Sequence, residues 1–61
     1  MLAIPTYNEH GNVNRIYHLI RKYNKKIKIL FIDDNSNDGT ILQLRKLCQI
    51  DNKVLMMVRK K

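Results

Sequence analysis

Residues 27–40 read IKILFIDDNSNDGT, an apolar run that ends in two aspartates and a polar loop. In an extended strand, Ile29 and Phe31 point to one face, and Leu30 and Ile32 point to the other. A strand that is apolar on both faces is typical of a parallel sheet that is covered on both sides. We therefore predict that this run forms the middle strand of a parallel sheet.

Two similar apolar runs flank this strand, and a helical pattern lies in each interval between them. The predicted strands are Leu2 to Ile4, Ile27 to Ile32 and Val54 to Val58. In both intervals apolar residues recur at steps of three and four, which indicates an amphipathic helix. The two apolar stripes are Val13, Ile16, Tyr17, Ile20 and Tyr23 on the first helix, and Ile41, Leu44, Leu47 and Cys48 on the second.

The predicted element order is β-α-β-α-β, and the fold class is α/β. Strands that are joined through helices run parallel, and their crossovers are right-handed. Two crossovers that wind in one direction give the strand order 3-2-1 and place both helices on one face of the sheet. We expect residues 1–61 to form the three-stranded parallel half of a doubly wound domain.

This half of a domain leaves apolar surface without a covering layer. The face that carries Leu30 and Ile32 has no helix to cover it, and the outer edge of the first strand has no partner. A domain of 61 residues is marginally stable even with a complete core. We therefore expect the isolated chain to fold poorly.

Composition excludes several classes of protein. Twelve Lys and Arg residues against five Asp and Glu residues give a net charge of 12 − 5 = +7. A single cysteine, Cys48, allows no intrachain disulfide and is expected as a small core residue in a reducing compartment. The longest apolar run, Val54 to Val58, is too short to cross a bilayer, and the first residues lack the features of a secretory signal. We therefore expect neither a transmembrane segment nor a signal peptide.

Two polar loops follow the first two strands, at the edge where open α/β sheets bind ligands. They are residues 5–9, PTYNE, and residues 33–40, DDNSNDGT. Gly39 is their only glycine, whereas loops that bind phosphate need several. The loops suit a nucleoside instead, because carboxylates accept hydrogen bonds from ribose hydroxyls and base N–H groups, and Tyr7 can pack against a base. Carboxylates repel a diphosphate, so we expect the phosphates to be bound by residues further along the chain.

Several of these residues also have a purely structural interpretation. Pro5 can end the first strand, Glu9 can favour the start of a helix through the helix dipole, and Asp38 can cap the second helix. Asp33 and Asp34 are harder to explain in this way, because adjacent acids at the end of a buried strand point to opposite faces. Neither histidine has a partner at a spacing typical of metal ligands.

The two loops, IPTYNE and ILFIDDNSNDGT with their strands, resemble those of inverting glycosyltransferases with the GT-A fold. The closest resemblance is to the dolichol-phosphate (polyprenol-phosphate) mannosyltransferases. It implies transfer of mannose from GDP-mannose to dolichyl phosphate at the cytosolic face of the endoplasmic reticulum, with Mg²⁺ or Mn²⁺ as cofactor. By the same resemblance, the pocket for the sugar nucleotide is lined by Pro5, Tyr7, Glu9, Ile32 and Asp34.

The resemblance implies that residues 1–61 are the amino-terminal, nucleotide-binding half of a Rossmann-like GT-A domain, and so only part of such an enzyme. The DxD motif that holds the metal and the diphosphate in the family does not occur in this chain, so we assign it no catalytic and no metal-binding residue. Dolichyl phosphate would bind through sequence that is absent here. Peripheral contact with a membrane is expected, and binding to nucleic acid is not.

Three other interpretations stay open at the level of the sequence. The chain could belong to a glycosyltransferase of the same fold that uses another sugar nucleotide. It could be a receiver-like signalling module, in which the acidic pair Asp33 and Asp34 binds Mg²⁺. It could also be a basic module that binds polyanions through cations near the end of the first helix, namely Lys22, Lys25, Lys26 and Lys28.

Overall fold

A computed structural model describes residues 1–60 and contains three strands and two helices in alternation. The elements are β1 (Leu2–Thr6), α1 (Val13–Tyr23), β2 (Ile29–Asp33), α2 (Thr40–Ile50) and β3 (Val54–Val58). The strands form one parallel sheet in the order β1-β2-β3. This arrangement confirms the predicted α/β class and strand order.

Both helices pack against the same face of the sheet, as predicted. The buried apolar core consists of Val13 from α1, Leu44 and Leu47 from α2, Ile29 and Phe31 from β2, and Val54 from β3. Two residues of the predicted stripes, Ile41 and Tyr23, are neither in this core nor among the half-buried apolar side chains packed against it. Tyr23, the last residue of α1, is 79% exposed, and the Lys22 ammonium lies 5.8 Å from the centre of its ring. Its assignment to the core-facing stripe was therefore wrong.

The opposite face of the sheet, which we call the open face, carries two apolar rows across the strands. Strand register aligns Ala3 with Leu30 and Leu55 in one row, and Pro5 with Ile32 and Met57 in the other. Leu55 is 46% exposed and Met57 is 50% exposed. Within residues 1–60 no helix covers this face, in agreement with the expectation from the sequence.

The middle strand begins two residues later than the sequence predicts. The backbone N–H of Ile27 donates to Asn24 Oδ1 at 3.1 Å, and its carbonyl oxygen accepts from Arg21 Nη1 at 2.8 Å. Side chains therefore satisfy the backbone groups that a strand would direct to its neighbours. The side chain of Ile27 still packs against the core.

The first strand extends past its predicted end and includes Pro5. Its register with β2 continues through Pro5 opposite Ile32 and Thr6 opposite Asp33. Proline is tolerated here because β1 is an edge strand within residues 1–60. The interpretation of Pro5 as a strand terminator was wrong, and the extension brings the following loop level with the end of β2.

Candidate functional site

An open cleft with a volume of about 360 Å³ lies at the carboxyl edge of β1 and β2. Its lining residues are Pro5, Thr6, Tyr7, Glu9, Ile32, Asp34 and Arg59. This set includes all five residues that the resemblance assigns to the sugar-nucleotide pocket. The structure thus brings together side chains that lie as far apart in the sequence as Pro5 and Asp34.

Strand alternation explains why these residues share one side of the sheet. Pro5 and Ile32 are register partners on the open face. Asp34 lies two residues beyond Ile32, so it projects to the same side, whereas Asp33 projects toward the helices. The cleft therefore occupies the point where the open face meets the carboxyl edge of the sheet.

Asp33 is fully buried and stabilises the loops rather than lining the cleft. Its Oδ1 accepts hydrogen bonds from the hydroxyls of Thr6 and Ser36, both at 2.7 Å, and its Oδ2 accepts from the Ser36 N–H at 2.7 Å. Burial alone raises the pKa of this carboxyl, but the hydrogen bonds from Ser36 and Thr6 outweigh it and leave the pKa below its usual value. Asp33 is therefore an ionised carboxylate that joins the ends of β1 and β2.

The two loops are also joined to each other directly. The Asn8 N–H donates to Ser36 Oγ at 2.7 Å, and the Asn37 N–H donates to Asn8 Oδ1 at 3.2 Å. Asn8 and Asn35 both adopt positive φ, at 50° and 61°. Asparagine is one of the few residues that tolerate this conformation. The loops around the cleft are therefore held in one shape by local residue choice.

Asp38 orders the start of α2, although not from the cap position that the sequence suggested. Gly39 is the N-cap, with a φ of 95°, and Asp38 precedes it. The Asp38 carboxylate accepts hydrogen bonds from both the N–H and the hydroxyl of Thr40, and from the His10 N–H at 3.2 Å. The side-chain bond from Thr40 in particular lowers the pKa of Asp38.

Asp34 and Glu9 are the two acids of the cleft, and both are partly buried. Tyr7 is 55% exposed at its rim. Arg59 Nη2 lies 3.9 Å from Asp34 Oδ1, a long ion pair at the surface. The cleft thus combines two carboxylates, which accept hydrogen bonds, with the Tyr7 ring, the apolar surfaces of Pro5 and Ile32, and the Arg59 guanidinium.

The sequence reasoning missed Thr6 and Arg59 as lining residues. The signal for Arg59 was present, because it is the first residue after the third apolar run and so falls at the same carboxyl edge. Its backbone N–H donates to the Asp33 carbonyl at 2.7 Å, which continues the pairing of β3 with β2. A rule that includes the ends of all three strands would have found it.

No three histidine, cysteine, aspartate or glutamate side chains converge on a point suited to a metal ion in the part of the chain that the structure describes. The resemblance assigns the Mg²⁺ or Mn²⁺ ligands to a DxD motif, which does not occur among residues 1–61.

The family model for glycosyl transferase family 2 matches residues 1–61, the whole of the chain. The chain belongs to glycosyl transferase family 2. No solved structure matches it. Family membership places the cleft in a protein class that transfers sugars, and it supports the β-α-β-α-β arrangement as part of a Rossmann-like domain.

The site of this glycosyl transferase family 2 chain differs from what a receiver-like module would need. A receiver's acidic pair would have to bind Mg²⁺, but both carboxylate oxygens of Asp33 are engaged by Thr6 and Ser36. A β-α unit also precedes the acidic pair, and the residue after β3 is Arg59 rather than an aspartate. The match to glycosyl transferase family 2 therefore contradicts the interpretation as a receiver-like module.

The cations near the end of α1 lie at the surface and do not line the cleft. Lys22, Lys25, Lys26 and Lys28 are all exposed. Among residues 1–60, no helix has the length and the apolar character that crossing a membrane requires.

Proposed function

We propose that this chain is the nucleotide-sugar-binding part of a glycosyltransferase that transfers mannose from GDP-mannose to dolichyl phosphate. Membership of glycosyl transferase family 2 supports sugar transfer. The observation that carries the proposal is the cleft that gathers Pro5, Tyr7, Glu9, Ile32 and Asp34 at the carboxyl edge of the sheet.

Each part of the cleft has a role suited to a nucleoside. The Asp34 and Glu9 carboxylates accept hydrogen bonds from ribose hydroxyls or from base N–H groups. The Tyr7 ring packs against the base, and Pro5 and Ile32 supply the apolar floor. The absence of a glycine-rich phosphate loop agrees with a site that begins at the nucleoside end.

The choice of mannose and dolichyl phosphate rests on the spelling of the two loops, IPTYNE and DDNSNDGT. On the same ground we propose Mg²⁺ or Mn²⁺ as the cofactor and the cytosolic face of the endoplasmic reticulum as the location. The ligands for the metal and the site for dolichyl phosphate would lie in sequence outside this chain. The exposed cations on α1 and after it favour peripheral contact with anionic lipid headgroups.

The test is a mannosyl transfer assay with the complete enzyme that contains this sequence. Asp34→Ala removes an acceptor from the cleft and is expected to raise the KM for GDP-mannose about tenfold or more, or to abolish transfer. Asn52→Ala is the control, because Asn52 is exposed in the turn between α2 and β3, away from the cleft.

Unchanged kinetics for Asp34→Ala would contradict the assignment of the cleft. Transfer from UDP-glucose but not from GDP-mannose would leave the cleft assigned and would overturn the mannose specificity. Transfer to an acceptor other than dolichyl phosphate would overturn the choice of acceptor alone.

A further inference from the structure

The cleft is lined by two acidic side chains and one cationic side chain. Glu9 and Asp34 are its acids, and Arg59 is the only cation among its lining residues. Two carboxylates repel a phosphate group, whereas a guanidinium attracts one. A ligand that carries both a nucleoside and phosphate would therefore place its phosphate toward Arg59.

The backbone of Arg59 is fixed while its side chain extends into solvent. Its N–H donates to the Asp33 carbonyl at 2.7 Å, so the strand pairing holds its Cα at the end of β3. The side chain is 66% exposed, and its contact with Asp34 at 3.9 Å is too long for a hydrogen bond. An exposed pair of this length contributes little energy, so the guanidinium can exchange Asp34 for another anion at small cost.

We propose that Arg59 binds phosphate of the nucleotide and makes the cleft prefer a phosphorylated ligand over the bare nucleoside. This inference rests on the proposed function, and it assigns a role to a residue that the sequence analysis did not include. Guanidinium groups donate two parallel hydrogen bonds to phosphate oxygens, which a carboxylate or amide cannot do. The position at the end of β3 also meets the expectation that phosphate is bound further along the chain than the two loops.

The test compares guanosine with GDP as ligands of the 61-residue chain. The titrations contain EDTA, so that no metal ion bridges phosphate and carboxylate, and enough trimethylamine N-oxide to keep the chain folded. The measured quantity is the ratio of the two dissociation constants, because this ratio cancels any loss that affects both ligands equally. The variants are Arg59→Gln, Arg59→Lys, and Arg45→Gln, in which an exposed arginine of α2 outside the cleft is changed.

We expect the unaltered chain to bind GDP about tenfold more tightly than guanosine, and Arg59→Gln to remove most of that preference. Arg59→Lys retains part of it, because the charge remains but the paired donors are lost. Arg45→Gln retains all of it. Added salt reduces the preference in the chain with Arg59 and has little effect in Arg59→Gln.

Two results would overturn the inference while leaving the proposed function in place. One is an unchanged ratio in Arg59→Gln, and the other is an equal loss of the preference in Arg59→Gln and Arg45→Gln. Failure of the folded chain to bind guanosine or GDP at all would instead overturn the proposed function together with the inference.

Discussion

Asp33 and Asp34 are chemically identical neighbours with different environments, because a strand directs successive side chains to opposite faces. Asp33 is fully buried and accepts three hydrogen bonds, whereas Asp34 borders the cleft. Replacement of the two residues should therefore have different consequences.

Asp33→Asn should destabilise the fold by about 2–4 kcal/mol, because it replaces a charged acceptor of three hydrogen bonds with a neutral amide. Asp34→Asn should alter stability less than Asp33→Asn does, because the Asp34 side chain is 30% exposed and water can solvate the amide that replaces it. The change in stability of each variant is measured as the shift in the trimethylamine N-oxide concentration at which half of the chain is folded, followed by circular dichroism. Equal midpoint shifts for the two variants would refute the distinction.

Gly39 meets two constraints at once. Its φ is 95°, and a Cβ at this position would lie 3.0 Å from Cδ2 of His10. Gly39→Ala should therefore destabilise the chain by about 1–2 kcal/mol. Gly11→Ala is the matched control, because no heavy atom lies within 4 Å of a Cβ there, and it should be neutral or slightly stabilising. The same midpoint measurement tests both, and a larger effect at Gly11 would contradict the account.

For individual residues, the lining of the cleft was largely predictable from the sequence, but the hydrogen bonds that hold the two loops were not. The rule that ligands bind at the carboxyl edge, with the resemblance, identified the two loops and five of the lining residues. Arg59 was missed because no loop motif follows β3. The exposure of Tyr23 was missed because helical periodicity gives the direction of a side chain but not how far the core extends.

Side-chain hydrogen bonds join α1 to the end of α2 and to the segment before β2, at the amino edge of the sheet and opposite the cleft. Asp51, the C-cap of α2, accepts hydrogen bonds from Arg21 Nε and the Tyr17 hydroxyl of α1, both at 2.8 Å. The same guanidinium donates to the carbonyl of Ile27. The hydrogen bond from Arg21 is the largest cause that lowers the pKa of Asp51 from 3.8 to about 2.

The hydrogen bonds to the Asp51 carboxylate predict that the stability of the chain depends on pH. Because the pKa of Asp51 is lower in the folded chain than in the unfolded chain, its contribution is complete above pH 3.8 and is lost as the pH falls toward 2. The shift corresponds to about 2 kcal/mol. Asp51→Asn should therefore be less stable than the unaltered chain at neutral pH, and the difference should shrink in acid. The series is measured in sucrose, since trimethylamine N-oxide itself titrates in acid, and a difference that is independent of pH would disprove the role.

Element type and order followed from periodicity, but element ends did not. The bounds of β3 were predicted correctly because an apolar run between polar residues defines them. The start of β2 depends on side chains of Arg21 and Asn24 that bind the backbone of Ile27. The Arg21 contact runs from the last turn of α1 to this segment, and the Asn24 contact closes a short polar turn, so the pattern of apolar residues indicates neither.

The molecule as a whole has one covered and one open sheet face. The rows that contain Leu30 and Ile32 lack a covering layer within residues 1–60, and the chain carries a net charge of +7. Burial on one face alone provides little surplus over the conformational entropy of folding. The isolated chain should therefore be only partly folded without osmolyte, with poorly dispersed amide resonances. A cooperative thermal unfolding transition of a monomer in plain buffer would contradict this prediction.

Binding of the nucleoside of a sugar nucleotide in the cleft between the two loops can be observed residue by residue. The most direct measurement is an amide nitrogen–proton correlation spectrum of the labelled chain, stabilised by trimethylamine N-oxide and titrated first with GDP-mannose and then with UDP-glucose. We expect shifts that are confined to residues 7–9, 32–35 and Arg59 and that only GDP-mannose produces. A folded chain whose spectrum shows no shifts, or shifts only in the groove between α1 and α2 around His18 and Gln43, would contradict this expectation.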